Sequence, residues 1–89
     1  MTVQRLGNQS ARNDAGVTVS SRDRATMRVD YHDSTLVVPV DRGSGSYGFY
    51  IPAMPVWTDG TVVPPDVLAV LKSGIVEVMA YWNIRVEFL

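Results

Sequence analysis

The sequence predicts an α+β fold in which an antiparallel meander of three or four strands precedes one amphipathic helix and a last strand (β-β-β-β-α-β). Three observations predict this fold. Apolar residues alternate with polar ones in short stretches between positions 17 and 51, which is typical of half-buried strands. After Pro65 apolar residues recur at helical spacing, and a last alternating stretch follows Asn83.

The strands of the meander are separated by turn-forming residues. The clearest alternation covers 25–31, with shorter or flanking stretches at 17–20, 35–40 and 47–51. Tight hairpins between neighbouring strands follow from these short connections. Because Pro39 has no N–H to donate, we expect its strand at a sheet edge or with a bulge at that point.

The helix is predicted from its start signals and its apolar face. Pro65 suits the first turn, where an N–H is not needed, and Asp66 places negative charge near the positive end of the helix dipole. Gly74 is unfavourable inside a helix unless a strand approaches closely there. Asn83 can end the helix. The strand after it can return parallel to an earlier strand, so that the helix covers one face of a single sheet.

Length and composition predict one small domain. The chain has 89 residues and no cysteine, and we expect a flexible N-terminal arm over 1–16 and a single α+β domain over 17–89. Residues 1–28 carry five arginines and two aspartates, whereas residues 29–89 carry three basic and seven acidic side chains. The net charge of −1 therefore combines a basic beginning with an acidic body. Since 1–16 lacks the apolar segment of a secretory signal, we expect a cytoplasmic protein.

Two motifs that suggest catalysis have simpler explanations. Gly43–Gly48 matches G-x-G-x-x-G but leads into a strand rather than a helix, which favours a hairpin turn over a phosphate-binding loop. His32, Asp33 and Ser34 are consecutive, and such neighbours cannot place a nucleophile, a base and an orienting acid in line. We therefore expect no catalytic residue, no metal site and no cofactor, and predict that the chain is not an enzyme.

Two aromatic residues are candidates for a binding surface. Tyr50 points away from the expected core side of its strand, and Trp57 lies in a loop beside Asp59. Such side chains often anchor protein interfaces. For Trp57 there is an alternative, because the indole can also fold over the helix and close the core.

The second half of the chain resembles a small α+β type of immunity protein from bacterial polymorphic-toxin systems. The resemblance covers roughly 35–89 and consists of Tyr47-Gly48-Phe49-Tyr50-Ile51-Pro52, Trp57-Thr58-Asp59-Gly60, Pro64-Pro65-Asp66-Val67-Leu68 and Val86-Glu87-Phe88. It implies a non-enzymatic protein that binds and neutralises a cognate toxin domain. No catalytic residue is carried over.

The acidic body agrees with a basic protein partner such as a nuclease, because opposite charge speeds association. The hypothetical partner-binding residues are Asp30, Asp33, Asp41, Tyr50, Trp57, Asp59 and Glu87. Two alternatives stay open. One is a small nucleic-acid-binding module that uses Arg22, Arg24, Arg28 and sheet aromatics. The other is a homo-oligomeric adaptor, for instance a homodimer, that pairs strand edges.

Overall fold

A computed structural model describes residues 3–89, which form seven strands and one helix. The strands form one mixed sheet in the order of the chain. The elements are β1 (Val3–Gly7), β2 (Ser10–Asn13), β3 (Val17–Ser21), β4 (Thr26–Tyr31), β5 (Ser34–Arg42), β6 (Ser46–Phe49), α1 (Pro65–Tyr81) and β7 (Arg85–Phe88). The α+β class agrees with the expectation, but the meander has six strands rather than three or four.

The additional strands β1 and β2 lie where the sequence predicts a flexible arm. They pair with each other, and β2 pairs with β3, all antiparallel. This segment is too polar to show apolar alternation. Its inward positions in β2 are Ala11 and Asn13, both buried. The Asn13 amide stays satisfied because its Oδ1 accepts the Val17 N–H at 2.9 Å and its Nδ2 donates to Glu77 at 3.1 Å.

The last strand returns parallel to its predecessor. After α1, β7 pairs with β6 in parallel, with Gly48 opposite Glu87 and Phe49 opposite Phe88. A parallel neighbour requires a crossover connection, and the helix supplies it. The expected single sheet with one helix is therefore present.

The sheet curls around the helix. α1 contacts β1 through β4 and also β7 at the opposite edge, which a flat sheet of this width would not allow. The buried helix residues Leu71, Gly74, Ile75, Val78 and Met79 form one face. A Cβ added at Gly74 would lie 2.5 Å from the Cβ of Val17. Glycine at this position thus lets the helix approach β3.

The helix ends match their sequence signals. Pro64 and Pro65 begin it, and the Pro64 carbonyl accepts the Leu68 N–H. Asn83 adopts the left-handed conformation with φ of 64°. The next N–H, from Ile84, returns to the Met79 carbonyl at 2.9 Å, which satisfies the last turn.

The turns agree with the hairpin interpretation of both motifs. His32 has φ of 53° in the tight turn between β4 and β5. The Gly43 N–H donates to the Ser46 carbonyl in the turn between β5 and β6. Pro39, however, lies in an internal strand rather than at an edge. The Pro39 carbonyl accepts the Tyr50 N–H, and Tyr50 lies just past the end of β6. The N–H that Pro39 lacks therefore falls beyond the last residue pair of the β5–β6 ladder, and no ladder is interrupted.

No helix within residues 3–89 is long and apolar enough to cross a membrane.

Candidate functional site

The side of the sheet turned away from α1 carries three of the seven predicted site residues. We call it the outer face. In β5, Leu36, Val38 and Val40 are buried against the core, so the residues between them face outward. The same alternation and the strand register place Asp30, Asp41 and Glu87 on this outer face.

An exposed group of apolar side chains lies beside this face. We define the apolar patch as Tyr50, Met54, Val56 and Val62. Their side chains are 46%, 71%, 47% and 52% exposed, respectively. Val56 and Val62 are held side by side because they form an isolated antiparallel bridge. This bridge is closed by the Trp57 N–H bound to the Thr61 carbonyl and the Val63 N–H bound to the Pro55 carbonyl.

A shallow groove connects the patch to β5. It has a volume of about 250 Å³ and is lined by Tyr50 and Val56 on one side and by Val37 and Pro39 on the other. The Tyr50 N–H donates to the Pro39 carbonyl at 2.9 Å, which fixes the start of this segment against the strand. The apolar surface therefore continues from the loop onto the sheet.

Three of the predicted acids lie at one end of this surface. Asp33 is in the turn that joins β4 and β5, and Asp30 lies opposite Thr35 at the start of β5. The loop that holds Asp59 is attached there, because the Thr58 N–H donates to the Thr35 carbonyl at 2.9 Å. Asp30 also accepts from Arg28 Nε at 3.0 Å, so its charge is partly compensated.

The other two acids lie near the far end of β5. Asp41 and Glu87 are both opposite Gly48 in the neighbouring ladders, one on either side of it. A Cβ at Gly48 would meet Leu89 Cδ1 at 2.6 Å, so the chain end folds over the space that glycine leaves. These two exposed carboxylates thus flank an apolar strip.

Local hydrogen bonds favour the ionised form of Asp59. The Thr61 hydroxyl donates to its Oδ1 at 2.6 Å, and the Thr61 N–H donates to the same atom at 2.9 Å. These two bonds lower the pKa of the Asp59 carboxyl from its ordinary value, with the hydroxyl contributing most. The carboxylate therefore holds the loop in its ionised form.

Trp57 is the predicted site residue that the structure removes from the surface. Its side chain is 8% exposed and belongs to the hydrophobic core. A buried indole offers no contact area to a partner, so of the two alternatives for Trp57 the structure shows closure of the core. The exposed anchors of the same loop are its neighbours Val56 and Met54.

Met54, Val56 and Val62 were not predicted as site residues. Their only signal in the sequence is the Asp59-Gly60 turn, which has a valine at a short distance on each side. Such a turn predicts a small hairpin, and a small hairpin exposes one of its two side-chain faces.

Comparison with protein-family models, curated proteins and solved structures finds no match for this chain. The surface itself therefore carries the functional argument. Within residues 3–89, no three potential metal ligands lie close enough to hold an ion. Two of the arginines considered for nucleic-acid binding are paired with carboxylates, Arg22 with Asp23 at 3.1 Å and Arg28 with Asp30.

Proposed function

We propose that this chain is a non-enzymatic immunity protein that binds and neutralises a cognate bacterial toxin domain through its outer face. The observation that carries the proposal is the apolar patch with acidic side chains at both ends. Contiguous exposed apolar surface with a polar rim is typical of protein interaction sites. The resemblance of 35–89 to immunity proteins supplies the kind of partner.

The patch supplies the centre of the proposed interface. Tyr50 offers a rigid aromatic side chain of which nearly half is exposed. The paired Val56 and Val62 add an apolar surface whose backbone is already ordered by the bridge. Because little conformational freedom remains to be lost on binding, such a surface favours high affinity.

The acidic side chains form the rim of the proposed interface and favour a basic partner. Asp33 and Asp59 lie at one end, and Asp41 and Glu87 at the other, all exposed. A basic toxin domain would be attracted by them and associate faster at low salt. Asp30 contributes less, because Arg28 shares its carboxylate.

The proposal predicts that a toxin-like domain is encoded beside the gene of this chain, and the test is whether this chain neutralises that domain. Co-expression with the wild-type protein should restore growth. Val62→Asp, which places a charge in the patch, should abolish the rescue. Val76→Asp is the matched control, because Val76 is a similarly exposed valine on α1. A lone gene with no toxin-like neighbour, or rescue by both variants, contradicts the proposal.

The role of the acidic rim in association has a test of its own. Asp41→Lys should slow association with the toxin domain and reduce its salt dependence. Asp14→Lys is the control, since Asp14 is an exposed acid in the turn between β2 and β3. Equal association rates for the two variants would overturn the role of the acidic rim. Binding of single-stranded oligonucleotides at low salt, steeply weakened by added salt, would instead favour the nucleic-acid alternative.

A further inference from the structure

A cavity of about 260 Å³ lies between α1 and the sheet, near the end of β5. Its apolar wall consists of the buried residues Val19, Met27 and Met79 together with Trp82 and Ile84 at the end of the helix. None of the residues of the apolar patch lines it. An inference about this cavity therefore does not rest on the proposed protein partner.

Arg42 is the charged side chain that lines the cavity. Its position follows from the alternation of β5, in which Leu36, Val38 and Val40 point inward and Arg42 is the next inward residue. Its Nη2 donates to Ser21 Oγ at 2.8 Å and to the Asp23 carbonyl. The guanidinium is thus fixed in place by neutral acceptors.

No carboxylate compensates this charge. The ion pairs of residues 3–89 are Arg22 with Asp23 and Arg28 with Asp30, so Arg42 has no acidic oxygen within 4.0 Å. Arg42 Nε is buried without a hydrogen-bond partner in that part of the chain. Arg42 is half-buried, and its charge is stabilised in part by the Tyr47 ring, whose centre lies 5.5 Å from Arg42 Cζ. An anion would add the counter-charge that no carboxylate supplies.

A second arginine adds positive charge near the same cavity. The Arg5 guanidinium lies 5.5 Å from the centre of the Trp82 ring and donates to Asn8 Oδ1 at 3.2 Å. Trp82 and Asn8 both line the cavity, and none of its lining residues is acidic. The electrostatics therefore favour an anion.

The helix end limits how much negative charge fits. Met79 lies in the last turn of α1, and Trp82 and Ile84 follow shortly after its end, so this wall is at the negative end of the helix dipole. The negative end of the dipole opposes any anion, and it opposes a multiply charged phosphate more than a carboxylate whose single charge one guanidinium can balance. The rest of the wall combines the apolar side chains named above with the polar Asn8, Gln9 and Ser21, so part of it suits a hydrocarbon or aromatic body.

We propose that this cavity binds a small organic carboxylate with an apolar body, whose carboxylate is held by Arg42. The volume is slightly below the range of about 300–1,000 Å³ that is usual for ligand pockets, so the cavity suits only a small molecule. Arg42 Nη1 makes no hydrogen bond within residues 3–89 and is the donor left for the ligand.

The test is a titration of the full chain with benzoate, benzamide and inorganic phosphate, followed by two-dimensional nuclear magnetic resonance. Benzoate should saturate with a dissociation constant of about 1 mM or lower and shift the signals of the Arg42 side chain and of Met27 and Met79. Benzamide, which has the same shape without the charge, should bind at least about tenfold more weakly. Phosphate should bind more weakly than benzoate.

Arg42→Gln should weaken benzoate binding at least about tenfold, and Arg12→Gln, on the outer side of β2, should leave it unchanged. The comparison of benzoate with benzamide needs no variant, so the proposal stays testable even if Arg42→Gln fails to fold. Equal binding of benzoate and benzamide, binding of phosphate as tight as that of benzoate, shifts confined to the outer face, or no saturation would each overturn the proposal.

Discussion

Replacement of Gly74 by alanine tests how closely the helix approaches the sheet. The new Cβ would lie 2.5 Å from Val17 Cβ and 2.6 and 2.7 Å from its two Cγ atoms. Carbon atoms in contact are normally about 3.5–4.0 Å apart, so the helix or β3 has to shift by roughly 1 Å. Val17 is fully buried and stiff about χ1, so it cannot rotate away.

The expected change in the free energy of unfolding combines two opposing contributions. Overpacking a core costs about 1–3 kcal/mol, and alanine is better than glycine in a helix by about 1 kcal/mol. Because three carbon–carbon contacts are far too short, we expect the clash to dominate and Gly74→Ala to destabilise the fold by about 1–2 kcal/mol.

The assay is urea denaturation of Gly74→Ala beside Ser73→Ala. Ser73 is exposed, so its replacement changes helix propensity without a clash and should stabilise slightly. Gly74→Ala should move the midpoint to lower urea with an unchanged m-value. A rise in the midpoint like that of Ser73→Ala would refute the close packing of α1 on β3.

Three further predictions concern the turns and the core. Asn13→Ala should cost about 1–3 kcal/mol, because the buried Val17 N–H loses its acceptor; the change in the urea midpoint measures it. The lowered pKa of Asp59 stabilises the fold fully above the unfolded-state pKa of about 3.9. This stabilisation is lost as the pH falls below that value through the folded-state pKa. Urea midpoints measured between pH 7 and pH 2 should therefore fall less for Asp59→Asn than for the wild type. Trp57→Ala should cost about 3–5 kcal/mol in thermal unfolding if the indole closes the core, and near-wild-type stability would contradict its burial.

The sequence predicts the later elements well because their periodicity is unambiguous. In β4 and β5 the inward residues are apolar at every second position, and α1 repeats its buried side chains at the spacing of an amphipathic helix. Each of these patterns is local and needs no knowledge of the neighbouring strand. Asn83 is a separate local signal, because asparagine readily adopts the left-handed conformation found after a helix end.

The N-terminal strands could not be predicted in this way. β1 exposes nearly all of its residues, and β2 buries a single apolar side chain, Ala11. Their order comes from backbone pairing with β3 and from contact with α1, both of which depend on distant parts of the chain. The curl of the sheet has no local signal in the sequence either, because it arises when one helix contacts both edges of the sheet.

The two sites differ in how far the sequence could predict them. The exposure of the acidic residues on the outer face can be predicted from strand alternation. The burial of Trp57 depends on how its loop folds, and the sequence has no periodic signal for it. The strand predicted over 35–40 stops short of Arg42, and the inward series of apolar residues reaches Arg42 only because β5 extends to that residue in the structure.

The central claim is that the outer face binds a protein partner, and two tyrosines test it most directly. Tyr50 in the patch and Tyr81 on the last turn of α1 are each 46% exposed, so their replacement by alanine removes equal exposed fractions. Calorimetric titration with the cognate toxin domain that the proposal predicts should show that Tyr50→Ala weakens binding at least about tenfold and that Tyr81→Ala leaves it within about twofold of the wild type. Equal affinities for the two variants, or a loss with Tyr81→Ala alone, would contradict it.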